Sequence, residues 1–166
     1  MRVIGLAGWS GAGKTTLMAR LLPELGARGV SVSTIKHAHH RFDIDTPGKD
    51  SWVHREAGAR QVLVSSENRW ALMTELRGAP EPGLRALLAQ LSPVDLVVVE
   101  GFKRDRHPKI EVHRAANAKP WLHPEDPAIR AVASDIRPAG LPWASLDDIG
   151  AIAELALRHA APLESW

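Results

Sequence analysis

Apolar residues recur along this chain in two rhythms, and the changes of rhythm mark its elements. Residues 3–7 (Val-Ile-Gly-Leu-Ala) form a short apolar run that reads as a buried strand. Leu17, Leu21 and Leu25 then recur at i, i+4 and i+8, the stripe of an amphipathic helix. Pro23 falls inside that stripe and predicts a kink, while Gly26 and Gly29 offer places to stop. Residues 30–36 (Val-Ser-Val-Ser-Thr-Ile-Lys) alternate and are rich in β-branched side chains, so they read as a second strand. The short helical connection makes the two strands parallel, with a right-handed crossover.

Downstream, residues 52–57 read as a short helix, capped by Asp50 or Ser51 and ended by Gly58. Residues 61–66 and 69–74 are strand-like, and the turn Glu67-Asn68 between them makes a hairpin. After a break at residues 80–83, Leu84, Leu87, Leu88 and Leu91 form a helical stripe. Residues 94–101 hold the most apolar strand, as the centre of a parallel sheet requires. Residues 109–114 and 129–135 are two more strands, with a loop containing three prolines over 115–127. Residues 141–146 read as a short extended piece. Asp147 is the expected cap of a last helix that buries Ile149, Ile152, Ala153, Leu155 and Ala156. Strands alternating with helices predict an α/β three-layer fold with a mainly parallel central sheet and an inserted β-hairpin, one domain over residues 1–166.

The turn between the first strand and first helix carries the chemistry. Gly8-Trp9-Ser10-Gly11-Ala12-Gly13-Lys14-Thr15 fits G-x-x-x-x-G-K-[ST], with the strand before it and the helix after it that the pattern requires. Glycines let the backbone curl round an anion, and the helix start adds the positive end of its dipole. Gly8, Ser10, Gly11, Ala12, Gly13, Lys14, Thr15 and Thr16 are therefore the expected cradle of a nucleoside triphosphate. Lys14 serves the β- and γ-phosphates and Thr15 holds Mg2+. Glu100 ends the apolar strand, where related folds keep a carboxylate for Mg2+, so it shares the metal site with Thr15. Asp95 sits at the wrong end of that strand.

The polar loop over residues 37–51 leaves the second strand on the same edge as the phosphate loop. Asp43 and Asp45 are candidates, with Lys14, for chemistry at the phosphates and for an outer contact to the metal. His37, His39 and His40 lie there too. Imidazole and carboxylate together suit a transition metal, but a solvated, anion-facing loop is the expectation.

Composition narrows the picture. The chain has 166 residues, a net charge of +2 and no cysteine. A disulfide framework and a thiolate metal site are excluded. The small net charge argues against a nucleic-acid partner. No apolar run approaches the ~20 residues of a membrane span, and the chain opens on a strand rather than a signal peptide, so no membrane partner is expected and the expected compartment is the cytoplasm.

Beyond the phosphate loop, further stretches carry a resemblance. They are Ile35-Lys36-His37 with His39-His40, Asp43-Ile44-Asp45 through Ser51, residues 69–75, Val99-Glu100-Gly101-Phe102-Lys103, and residues 131–135. In this order they resemble the MobB family of molybdopterin-guanine dinucleotide biosynthesis adaptors over nearly the whole chain. The resemblance implies a GTP-binding, weakly GTP-hydrolysing homodimer of phosphate-loop fold. It implies a role in molybdenum cofactor biosynthesis, beside a partner guanylyltransferase that attaches GMP to molybdopterin. Whether molybdopterin itself binds is left open. Lys36 joins the nucleotide site on this basis. The N-K-x-D guanine motif is missing, since Asn117-Ala118-Lys119-Pro120 does not fit it, and Asp135 is the candidate for the guanine contact.

The alternative class is a small-molecule kinase using Asp43 or Asp45 as base. Such kinases carry an arginine-rich lid, and residues 115–127 hold no arginine. For the hairpin around residues 60–75, with Trp70, Leu72 and Met73, the expectation is a homodimer interface; the alternative is an extension of its own sheet.

Overall fold

Period-two alternation decides which face of the sheet each strand residue serves. The computed structural model describes residues 1–38 and 42–166; His39 and His40 of the predicted histidine cluster lie outside the described residues. Contacts divide the chain into two compact units, one of Met1–His37 with Leu84–Trp166 and one of Ala38–Gly83.

In the first unit, β1 (Arg2–Ala7) leads through the phosphate loop into α1 (Lys14–Ala27) and β2 (Val32–Lys36). The second unit holds α2 (Asp50–Glu56), β3 (Gln61–Ser65) and β4 (Trp70–Thr74). The first unit resumes with α3 (Leu84–Leu88), β5 (Leu96–Glu100), β6 (Lys109–His113), β7 (Ile129–Ser134), β8 (Trp143–Ser145), α4 (Ile149–His159) and β9 (Ala161–Pro162). The sheet runs β2-β5-β1-β6-β7-β8, all parallel, and β9 adds an antiparallel pairing to Arg2 and Val3. This is the α/β fold with a mainly parallel central sheet that the sequence predicts.

Ile4, Leu6, Val98, Ile110 and Val112 pack against Leu17, Leu21 and Leu25 of α1 and Ile152, Ala153 and Ala156 of α4. Val3, Val97 and Val99 face the other way, onto Leu84 and Leu88 of α3. Helices on both faces give the three layers. α1 runs on through Pro23 to Ala27. It ends where Gly29 takes a φ of 75°, with its N–H on the Gly26 carbonyl and the Val30 N–H on the Leu25 carbonyl, a Schellman stop.

Two caps differ from expectation. Asp148, not Asp147, caps α4 and accepts from the Ala151 N–H at 2.9 Å. α2 starts at Asp50 behind Lys49, with no side-chain cap. Asp50 instead places its charge in the first turn, where the helix dipole favours an acid.

β6 is apolar on one face only. Lys109, Glu111 and His113 alternate with Ile110 and Val112, yet all are buried. Loops rather than a helix meet this polar face. The Lys109 ammonium donates to the Lys103 and Asp105 carbonyls and to Asp126. Glu111 accepts from the Leu122 and His123 N–H groups at 2.7 and 3.0 Å. His113 bonds the Lys119 carbonyl and stacks on Trp121, ring centroids 3.7 Å apart. A loop cannot satisfy its own backbone groups when it covers a sheet, and buried charges need partners; each requirement meets the other here.

The hairpin β3–β4 is a separate two-stranded sheet that, among the described residues, pairs with no strand of the larger one. Val62 is buried and Met73 half-buried, while Leu63, Leu72 and Trp70 on the opposite face are exposed. No helix among the described residues is long and apolar enough to cross a membrane.

Candidate functional site

The phosphate loop rises from the carboxyl end of β1, between the ends of β5 and β6. Gly13 takes a φ of 91°, a left-handed conformation, and turns the chain into α1. Lys14 follows as the first helical residue. Its ammonium donates to the Gly8 and Trp9 carbonyls, each at 3.0 Å, so the side chain arches over its own loop. Thr15 and Thr16 are exposed at the start of α1.

The next strand ends complete the charge pattern. Lys36 and Glu100 are register partners on β2 and β5, and Lys36 Nζ stands 3.7 Å from Glu100 Oε1. Leu6 pairs with Glu100 from the other side, which puts the carboxylate beside the root of the phosphate loop. Burial holds the Lys14 ammonium below its usual pKa; Glu100 opposes that shift, and Lys103 and Lys36 reinforce it. Three cations around one carboxylate leave positive potential at the loop, as a polyanion requires.

Gly101, next to Glu100, has a φ of 98°, and a Cβ there would come within 2.6 Å of His37 Cβ. Only glycine lets the strand end pass this close to the start of the polar loop. His37 is held by its N–H on the Glu100 carbonyl and by a ring contact with Phe102.

The loop tip is braced from both sides. Trp9 Nε1 donates to the Pro120 carbonyl at 2.8 Å, and Lys103 Nζ lies 5.5 Å from the Trp9 ring centroid. Thus the two loops pinned by the polar face of β6 are the ones that hold the phosphate loop in place.

Two residues that the sequence reading missed stand here. Arg114, the first residue beyond β6, brings Nε to 3.2 Å from the position a Cβ on Gly13 would occupy. Its guanidinium makes no hydrogen bond or ion pair with any described residue. Asn117 approaches Gly11 and Ser10. The missing signal is strand order: β6 lies beside β1, which no local pattern states.

Asp135 follows β7 at the same edge and is exposed. Its Oδ1 accepts from the Ala115 N–H at 2.9 Å, which ties it to the turn bearing Arg114 and Asn117. Asp95, at the amino end of β5, binds Ser31.

Gly8, Ser10, Gly11, Ala12, Gly13, Lys14, Thr15, Thr16, Lys36, Glu100 and Asp135 therefore share the carboxyl edge of one sheet. Asp43 and Asp45 belong to the second unit, where they surround Arg55. Asp43 Oδ2 lies 2.7 Å from Arg55 Nη2, and Asp45 and Glu75 complete the ring of carboxylates. The Arg55 hydrogen bond, helped by the Asp45 N–H, holds the Asp43 carboxyl below its usual pKa. Among the described residues, no cluster of three or more His, Asp or Glu could hold a metal ion on its own.

Comparison with known proteins agrees with this geometry. The family described as MobB, molybdopterin guanine dinucleotide synthesis protein B, matches residues 3–135. A molybdopterin-guanine dinucleotide biosynthesis adapter protein of Haemophilus influenzae is 47% identical over 136 residues, 80% of this chain and 74% of that protein. Its Escherichia coli counterpart is 44% identical over 161 residues, 94% of this chain and 91% of that protein. A crystal structure of molybdopterin-guanine biosynthesis protein B superposes with a TM-score of 0.75 at 30% identity, covering 94% of this chain and 98% of that one. A MobB homolog from Bacillus stearothermophilus gives 0.67 at 26% identity, covering 94% and 95%. With four-fifths of its length matched and its phosphate-loop fold shared, the chain belongs to the MobB family.

Proposed function

We propose that this chain is a GTP- and Mg2+-binding adaptor of molybdenum cofactor biosynthesis. It assists a partner guanylyltransferase that attaches GMP to molybdopterin, acts in the cytoplasm as a homodimer, and hydrolyses GTP weakly at most. The observation that carries the reading is the Lys14 ammonium held on its loop carbonyls beside Glu100 and Lys36. A triphosphate offers Lys14 charged acceptors in place of two neutral carbonyls, and charge-assisted bonds are the stronger kind.

The donors present suit Mg2+. A threonine hydroxyl and a carboxylate are hard oxygen ligands, the kind that cation takes alongside phosphate oxygens and water. Thr15 and Glu100 would hold it, and the ion would neutralise charge on the β- and γ-phosphates. Asp135 supports guanine. One of its oxygens is engaged by the Ala115 N–H, and the carboxylate remains an acceptor for the N1 and N2 donors of the base. Adenine presents an acceptor at N1, so the same carboxylate disfavours it.

The test is capture of the partner guanylyltransferase on the immobilised chain, with and without GTP and Mg2+. Capture should strengthen with nucleotide, and Lys14→Ala should lose the nucleotide response while keeping its far-ultraviolet dichroism. Absence of capture under every condition would end the adaptor reading. Unchanged GTP affinity in Lys14→Ala would end the phosphate-loop assignment.

A further inference from the structure

A second cleft opens at the opposite edge of the same sheet. Its volume is about 670 Å3, and Ile129, Arg130, Leu141, Pro142, His123 and His159 line most of it. Ile129 and Arg130 begin β7, Leu141 and Pro142 lead into β8, and His159 ends α4. These are the amino ends of the strands, whereas the phosphate loop stands at the carboxyl ends. The two sites are distinct.

The lining is apolar in its walls and basic in its polar groups. No carboxylate lines the cleft among the described residues. The Arg130 guanidinium makes no hydrogen bond or ion pair with any described residue. His159 Nε2 is buried and has no hydrogen-bond partner among the described residues. A buried ring nitrogen without a partner is costly, so its place at a cleft wall points to a ligand that would satisfy it. Burial, with Arg158 and Arg130 alongside, lowers the His159 pKa, which favours the neutral ring and its N–H over a second charge. His123 is fixed from behind. Its Nδ1 stands 2.9 Å from the fully buried Glu111 carboxylate, which also takes two backbone N–H groups.

The negative end of the α4 dipole does not oppose an anion here. Arg2 already covers it, donating through Nε and Nη2 to the Ala160 carbonyl at 3.2 and 2.9 Å and contacting the Leu157 carbonyl. Arg130 is thus left as a charge without a counter-ion, over a volume in the range of ordinary ligand pockets.

We propose that this cleft binds a small organic anion, an apolar body that packs on Ile129, Leu141 and Pro142 and an oxyanion head that takes Arg130 and His159. Arg130 supplies the charge and the fork of donors, His159 supplies the N–H, and the proline and aliphatic walls set the shape of the body.

The test uses 1-naphthoate as probe and uncharged 1-naphthalenemethanol as control, on the full chain, by calorimetry and by imidazole resonances in NMR. Naphthoate should move the His159 and His123 resonances. The alcohol should bind at least tenfold more weakly, as should naphthoate to Arg130→Gln. Unmoved imidazole resonances in the parent protein would overturn the proposal without reference to any variant. So would equal affinity for acid and alcohol, or equal affinity in a folded Arg130→Gln. Lys14→Ala should bind naphthoate as the parent does; a loss there would put the anion at the phosphate loop and sink the second site.

Discussion

The guanidinium of Arg114 stands against Gly13, its Nε 3.2 Å from where a Cβ would be. The contact joins the end of β6 to the last turn of the phosphate loop. A free guanidinium beside a phosphate cradle adds a charge-assisted donor to whatever anion the loop holds. Such bonds contribute about 1.5–3 kcal/mol, or roughly tenfold or more in affinity. Arg114→Ala is expected to weaken GTP binding by about tenfold in a calorimetric titration, with Arg114→Lys in between because the charge stays and the fork is lost. Equal affinity in all three proteins would reduce Arg114 to a brace for the loop.

Glu100 has Lys36 as its neighbour at 3.7 Å and Lys14 within electrostatic reach. The carboxylate already has two cations near it, so the proposed Mg2+ would have to gain through Thr15 and the phosphates as well. Glu100→Gln should therefore weaken GTP binding more in the presence of Mg2+ than with the metal chelated. The measurement is a Mg2+ titration of nucleotide affinity, and an identical curve for parent and variant would leave Glu100 as a strand terminus only.

His107 is fully buried, and both ring nitrogens lack hydrogen-bond partners among the described residues. Gly5 leaves it room, and Trp166 covers it at 5.6 Å between ring centroids. Burial, with Lys109 adding to it and Asp126 opposing, brings its pKa from 6.5 to about 4. The sign follows from linkage. Below 6.5 the unfolded chain takes up a proton that the folded chain refuses until about 4. Stability therefore falls as pH drops through that window, by about 2 kcal/mol at pH ~5 from this residue alone. Asp43, its pKa held below 3.8, does not titrate in the same range. Urea unfolding at pH 7 and pH 5 should show a smaller acid loss for His107→Leu than for the parent. An identical loss would place the acid sensitivity elsewhere.

The phosphate loop was legible because its chemistry is local: eight consecutive residues carry the turn, the donors and the helix start. The strands were legible from β-branched alternation, and the hairpin from its turn. The polar face of β6 was not. Residues 109–114 read only as a strand; that Lys109, Glu111 and His113 are buried under loops is shown by the fold alone. Arg114 was hidden for a related reason, since its partner Gly13 lies a hundred residues away. The ring of Asp43, Asp45 and Glu75 about Arg55 follows no helical or strand period either. A cap shifted from Asp147 to Asp148 is the smaller kind of miss, where two adjacent acids compete for one position.

The hairpin carries the last prediction. Cross-strand pairing sets Leu63 opposite Leu72 and Ser65 opposite Trp70, so these four share one face. Val62 and Met73 form the other face, and Val62 is buried. The outer face leaves Leu63 59%, Trp70 65% and Leu72 43% exposed. A two-stranded sheet is marginal in water without a covered face. Two leucines and a tryptophan also make more apolar surface than a lone hairpin needs to show. Among the described residues the hairpin pairs with no strand of the larger sheet. In the homodimer proposed above, a second copy of the chain would supply the same face by two-fold symmetry, leucine pair on leucine pair with the tryptophans as anchors. Trp70→Asp and Leu72→Asp should each weaken the homodimer at least tenfold in sedimentation velocity, because each would bury a charge at the centre of the contact. Val64→Asp, on the other face of the hairpin and half exposed, serves as the control and should leave association unchanged where it folds. Folded Trp70→Asp and Leu72→Asp proteins that sediment as the parent does would mean that the dimer, if it forms, uses another surface.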